Sequence, residues 1–145
     1  MDETEKLTDT VNHFCRWITA LPADMLVEQD WGPREVLAHI VYYHELFVNL
    51  VEARLSKKEF PPPEGSFREL NAAAVSASRG ISPSILVDRL KKANARLVEL
   101  YQRHNPEDII LEIKAGAKPR RLAELVPEVE AHIRNHLKKL QKVTR

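Results

Sequence analysis

The chain has 145 residues, of which 43% are hydrophobic and 30% charged, and a single cysteine. Its 22 basic and 21 acidic residues leave a formal net charge of +1, which argues against a nucleic-acid-binding or membrane-binding surface, since both depend on basic residues in excess. One cysteine cannot form an internal disulfide, the acidic N-terminus lacks the features of a signal peptide, and no apolar run approaches the ~18 residues of a membrane span. We therefore expect a cytoplasmic protein that forms one domain over residues 1–145.

Apolar residues recur at intervals of three and four almost throughout the chain, so the sequence predicts an all-α protein. The first amphipathic helix covers roughly 3–20. The second helix begins at Pro33, a residue that suits the first helical position, and continues to about residue 56. Trp31 and Val36 occupy the two positions of a hydrophobic staple at the start of this helix.

A proline-rich loop separates the second helix from a shorter one. Ser66 followed by Glu69 forms a capping-box pattern, which predicts a short helix near 66–78. The dipeptide Ser82-Pro83 then predicts the start of another long helix, with the serine as its N-cap.

The C-terminal part of the sequence predicts one more long helix. Residues 107–114 are ambiguous and are compatible with a short extended stretch. The last helix runs from about Arg120 to Lys142, with Pro127 either kinking it or resetting its start. Four long amphipathic helices predict a four-helix bundle, with the short helix as an extra element in a crossover loop.

Three histidines are candidates for a metal site in this bundle. His132 and His136 are one helical turn apart on the last helix, and His39 lies on the apolar half of the second helix. Neutral imidazoles are ligands for Zn²⁺, Ni²⁺ or Fe²⁺, and three of them leave positions for water or substrate. The alternative is structural: two boundary histidines bonded to backbone or carboxylate groups, and a partly buried His39.

Three further residues are candidates for the lining of a pocket. Tyr43, one turn from His39, is placed to orient a bound water or substrate, or it packs as an aromatic core residue. His44 falls on the other flank of the apolar face, as a pocket or core residue. Glu128 precedes His132 by one turn, where it either holds the second ring nitrogen or is exposed.

The segment Trp31–Phe47 (WGPREVLAHIVYYHELF) resembles the DinB/YfiT-like superfamily, in which a tryptophan precedes the second helix and a histidine lies in its first two turns. The late histidine pair matches the other two metal histidines of that superfamily. The HELF run and the proline-rich loop before FRELN are most similar to the ClbS/DfsB branch. The resemblance implies an up-down-down-up four-helix bundle, often a homodimer, with His39, His132 and His136 binding one divalent metal ion.

Two functions remain open at this point. The resemblance implies a metal-dependent enzyme, either a hydrolase or a thiol transferase, that acts on a small electrophilic molecule in detoxification or resistance. The alternative is a non-catalytic bundle that binds a small ligand or dimerises without metal. The sequence identifies neither the substrate nor the metal, because imidazole ligands suit several ions.

Overall fold

The computed structural model describes residues 2–144 of the chain. These residues form five α-helices: α1 (Glu3–Ala20), α2 (Pro33–Ser56), α3 (Phe67–Ala77), α4 (Pro83–Arg103) and α5 (Leu122–Val143). A single 3₁₀ turn (Ala23–Met25) follows α1, and two short strands, β1 (Ile110–Leu111) and β2 (Arg120–Arg121), pair antiparallel. The predicted all-α bundle is confirmed, with α3 as the short extra helix. Over residues 2–144 no helix is both long and apolar enough to cross a membrane.

Ion pairs between α2 and α4 show that these two helices run in the same direction. Glu45 accepts hydrogen bonds from Arg89, and Glu52 accepts one from Arg96, so residue numbers rise together along both helices. A parallel pair needs a long connection, because the chain must return to the starting end of the bundle. Helix α3 lies in that connection.

The other two long helices run in the opposite direction. On α1, Thr8 accepts a hydrogen bond from Asn94 and Thr4 accepts one from Gln102, so residue numbers fall along α1 as they rise along α4. Helix α5 follows β2, which pairs with β1 beside the last turns of α2, and its later turns reach the beginning of α2. The bundle is therefore up-down-down-up, as the resemblance implies.

Helix α2 occupies the centre of the packing. It is buried on most of its surface, whereas α1, α4 and α5 each bury one apolar stripe. These four helices share one hydrophobic cluster, whose most completely buried side chains include Phe14, Leu37, Leu90, Leu97, Leu122 and Ile133. Burial of each such side chain contributes about 1.5–3 kcal/mol. The core thus fixes α5 against α1 and α2.

The ends of α5 and the residues before it differ in part from expectation. The helix begins at Leu122 and continues without interruption through Pro127, so the proline does not reset its start. Arg120 and Arg121, expected in the first turn, instead form β2. The ambiguous segment 107–114 contains β1, and its pairing with β2 was not predicted because a two-residue strand has no periodicity.

Candidate metal centre

The three candidate histidines meet between α2 and α5. Nε2 of His132 lies 3.2 Å from Nε2 of His39 and 2.9 Å from Nε2 of His136. One ring nitrogen from each residue falls within 4.8 Å of the other two. Two imidazole nitrogens bound to one tetrahedral Zn²⁺ lie about 3.3 Å apart, given Zn–N bonds of about 2.0–2.1 Å. The spacing of the donors therefore fits a single ion.

Local helix geometry explains why these side chains converge. His132 and His136 are four residues apart and so lie on the same side of α5. Ile133 and Leu137, the next residue after each histidine, are buried and hold that side of α5 against the bundle. His39 is 6% exposed on α2, while His132 is exposed and His136 half-buried, so the site is closed on the α2 side and open on the α5 side.

All three imidazoles are held in the neutral form that binds metal. Burial lowers the pKa of His39 to about 4, with a further decrease from His132 and an opposing effect of the Asn71 carboxamide. Burial likewise lowers the pKa of His136 to about 4, with contributions from His132, His39 and Lys139. His132 is exposed as a residue, but partial desolvation of its ring and the charge of Lys139 also lower its pKa. Neutral imidazoles keep a free lone pair, so this donor set suits a borderline divalent ion.

Asn71, on α3, is a neighbour of the site that sequence reasoning missed. Within residues 2–144, neither its Oδ1 atom nor Nδ1 of His39 has a hydrogen-bond partner, and both atoms are buried. The carboxamide nevertheless lies close enough to His39 to raise its pKa. A histidine that binds metal through Nε2 carries its proton on Nδ1. Oδ1 of Asn71 is the neighbouring acceptor for a hydrogen bond from that Nδ1–H group.

Trp31 also contacts the site. Its ring centroid lies 5.6 Å from that of His39 and 6.5 Å from that of His136, in edge-to-face arrangements. The residue has a φ of +53°, an uncommon conformation for a residue other than glycine, and its side chain is 44% exposed. The expected staple accounted only for the start of α2, and it did not predict this contact.

A cavity of about 360 Å³ extends from His39 and His132 between α2, α3 and α5. This volume falls at the lower end of the roughly 300–1,000 Å³ of small-molecule pockets. Tyr43 lines the cavity, and its ring centroid lies 5.0 Å from that of His39. Most of the remaining wall is apolar, including Ile40, Phe47, Phe67, Ile113, Leu125 and Val129.

The Tyr43 hydroxyl is buried and, in the described part of the chain, has no hydrogen-bond partner. Burial and the neighbouring Tyr42 raise the pKa of Tyr43 to about 12. The hydroxyl therefore stays protonated and is available as a hydrogen-bond donor. The pocket role of Tyr43 stays a prediction beside the packing alternative.

The other two candidates have partners outside the histidine cluster. His44 is 1% exposed, and its Nε2 lies 3.1 Å from Oδ1 of Asn94 on α4, so it is a core histidine that touches the cavity wall. Glu128 lies at the exposed edge of the cavity and pairs with Arg120. Of its two alternatives, the exposed position agrees with this ion pair rather than a hydrogen bond to His132.

The chain was compared with known proteins. A family model described as the mycothiol maleylpyruvate isomerase N-terminal domain matches residues 5–133. The match extends from α1 to the middle of α5 and includes His39 and His132, while His136 lies just beyond it. No curated protein and no solved structure gave a significant match. The match agrees with the expected superfamily and does not single out the ClbS/DfsB branch.

Proposed function

Because this chain belongs to the family of mycothiol maleylpyruvate isomerase N-terminal domains, which is part of the DinB-like helical superfamily, we propose that it is a metal-dependent enzyme acting on a small electrophilic molecule. The observation that carries the proposal is the convergence of three imidazole nitrogens beside a cavity that His39 and His132 line. Zn²⁺, Ni²⁺ and Fe²⁺ all suit this donor set.

The proposed roles of the residues follow from their positions. His39, His132 and His136 would hold the ion, which when bound would lower the pKa of a water or thiol or polarise a carbonyl group. The Tyr43 hydroxyl would donate a hydrogen bond to a substrate atom beside His39. The apolar wall would exclude water from the reacting groups, which strengthens electrostatic interactions there.

Two reaction types fit this site, hydrolysis and thiol transfer. Cys15 is 1% exposed, and burial raises its pKa to about 11, so the chain's own thiol is not available as a nucleophile. Thiol transfer would therefore need a small thiol from solution. The similarity of the HELF run (44–47) and of the proline-rich loop before FRELN (67–71) to the ClbS/DfsB branch supports hydrolysis instead.

An activity screen with controlled metal content tests the proposal. Protein stripped with a chelator and protein reloaded with Zn²⁺ or Ni²⁺ are assayed on p-nitrophenyl acetate, and on chlorodinitrobenzene with and without a small thiol. We expect turnover only with the reloaded protein, abolished by His132→Ala and retained by His13→Ala, which removes an exposed histidine of α1. Equal rates for stripped and reloaded wild type would contradict a metal-dependent enzyme.

The cavity favours a second candidate, a non-catalytic protein that binds a small ligand without metal. Its apolar wall is formed by side chains of α2, α3, α5 and Ile113, and it does not depend on an ion. Ligand binding that is unchanged by metal removal, together with no turnover in the screen above, would support this candidate. The homodimer expected from the resemblance stays a prediction.

A further inference from the structure

We propose that the cavity takes a small molecule with a single oxygen or sulfur donor at one end and an uncharged, largely apolar body, and that it discriminates against dicarboxylates. The inference rests on the proposed function, since the donor end would face the three histidines. It goes further by assigning the chemical class of the ligand from the charges and polarity of the cavity wall.

The charges of the wall exclude a second anionic group in the ligand. None of the described residues that line the cavity is a lysine or arginine, and Glu128 at its edge is acidic. A carboxylate buried in the apolar part would lose its hydration without gaining a cationic partner. The uncharged part of a ligand instead displaces water from the apolar wall, and this hydrophobic contact stabilises the bound ligand.

Two basic residues outside the wall contact residues that line it. Arg120 pairs with Glu128, and the ammonium of Lys114 lies 5.4 Å from the centroid of the Phe67 ring. Neither basic residue is part of the cavity wall. The described wall itself therefore contributes no cation to a carboxylate at the far end of a ligand.

Of the polar residues that line the cavity, His44 and Glu128 have partners elsewhere, and those left for a ligand's donor atom lie beside the histidines. The three histidines and Tyr43 lie together, and the buried Tyr43 hydroxyl has no partner among residues 2–144. A ligand donor atom beside the histidines would accept the hydrogen bond that this hydroxyl lacks. One polar head group is therefore enough to provide partners for the histidines and the Tyr43 hydroxyl, and the rest of the ligand contacts apolar side chains.

The apolar part of the cavity is tested with the uncharged fluorophore N-phenylnaphthylamine, in metal-free and zinc-loaded protein. Phe67→Glu places a carboxylate on the wall at a residue that is 53% exposed and begins α3, where an acidic residue is compatible with the helix dipole. The matched control is Ile85→Glu, at a residue 52% exposed in the first turn of α4 and outside the cavity. We expect Phe67→Glu to weaken probe binding about tenfold and Ile85→Glu to leave it unchanged.

The polar end is tested with two hydroxamates on zinc-loaded protein. Octanohydroxamate has an uncharged tail, and suberic acid monohydroxamate has the same head with a carboxylate at the far end. We expect the uncharged tail to bind at least about tenfold more tightly. Tyr43→Phe should weaken octanohydroxamate binding, because the head group then loses the hydrogen bond from the Tyr43 hydroxyl.

The two arms separate this inference from the proposed function. Equal or tighter binding of the carboxylated hydroxamate, or no binding of the fluorophore to wild type, would overturn the inference. Fluorophore binding that Phe67→Glu weakens, in a protein that takes up no zinc, would uphold the apolar ligand class and contradict the metal-dependent function.

Discussion

Two buried polar atoms at the closed side of the histidine cluster, Nδ1 of His39 and Oδ1 of Asn71, lack partners in the described chain. A metal ion on Nε2 would fix the proton on Nδ1, and Asn71 would then accept it and orient the ring. We expect Asn71→Ala to weaken zinc affinity about tenfold, as measured by competition with a chelating dye. Asn49→Ala, at an exposed residue of α2, should bind zinc like the wild type; equal affinities of all three proteins would exclude this role of Asn71.

His44 makes the stability of the fold sensitive to acid. Burial lowers its pKa to about 4, and the hydrogen bond with Asn94 only partly opposes this decrease. Its folded form is therefore neutral, whereas an unfolded histidine, with a pKa near 6.5, takes up a proton below that pH. The contribution of neutral His44 is present above about pH 6.5 and is lost as the pH falls towards 4.

The consequence is measured by urea unfolding between pH 4.5 and about 6.5. We expect the free energy of unfolding of the wild type to fall by about 1 kcal/mol per pH unit more steeply than that of His44→Gln. His104→Gln, which removes an exposed histidine, should retain the wild-type slope. Identical slopes for wild type and His44→Gln would show that His44 is not neutral in the folded protein.

The residues of the candidate site were only partly predictable. His132 and His136 could be paired from the sequence because four residues make one helical turn, and His39 because it lies on an apolar face. Asn71 and Trp31 could not be found in this way. They reach the histidines from α3 and from the loop before α2, and periodicity carries no information about such contacts.

At the scale of single elements, the capping box of α3 is a local feature that the sequence predicted correctly. The Ser66 hydroxyl accepts a hydrogen bond from the Glu69 amide at 3.1 Å, and the Glu69 carboxylate accepts one from the Ser66 amide at 3.1 Å. We expect Ser66→Ala to lower the free energy of unfolding by about 1 kcal/mol. Ser76→Ala, at an exposed position within the same helix, should not be destabilising. Comparable losses in both variants in urea unfolding would argue against a specific capping effect.

Pro127 locally destabilises α5. Because it has no amide hydrogen, the carbonyl of Ala123 lacks its usual partner one turn later. We expect Pro127→Ala to raise the free energy of unfolding by about 2 kcal/mol, after allowance for the greater freedom of the unfolded chain. Pro119→Ala, in the loop before β2, should give no increase, since no helical hydrogen bond is regained. A Pro127→Ala protein no more stable than wild type, by thermal or urea unfolding, would disprove this account.

Helices and their starts were predictable because their signals are local, whereas the strands were not. A proline at the first helical position acts locally. So does an N-cap serine, whose hydroxyl accepts a hydrogen bond from the amide three residues later, within one helical turn. The β1–β2 pair joins Ile110 to Arg121 across a loop, and only the folded bundle brings these residues together. The start of α5 was misplaced for the same reason.

For the whole molecule, helix direction explains why a site forms between α2 and α5. Helices α2 and α4 are parallel and joined by ion pairs, while α5 runs antiparallel to α2 and brings its middle turns to His39. Helix α3, in the long connection that a parallel pair needs, supplies Phe67 and Asn71 to the cavity. The bundle could be predicted from four amphipathic patterns, but the cavity depends on the relative placement of three helices.

The central claim is that one divalent ion binds to the three histidines, and the metal content of the protein tests it most directly. Purified, untagged protein is loaded with Zn²⁺ or Ni²⁺, dialysed and analysed by mass spectrometry beside His39→Ala, His132→Ala, His136→Ala and the control His13→Ala. We predict about one equivalent of metal in the wild type and the control, and loss of metal in the three site variants. Wild-type protein that retains neither ion, or site variants that retain a full equivalent, would contradict the claim.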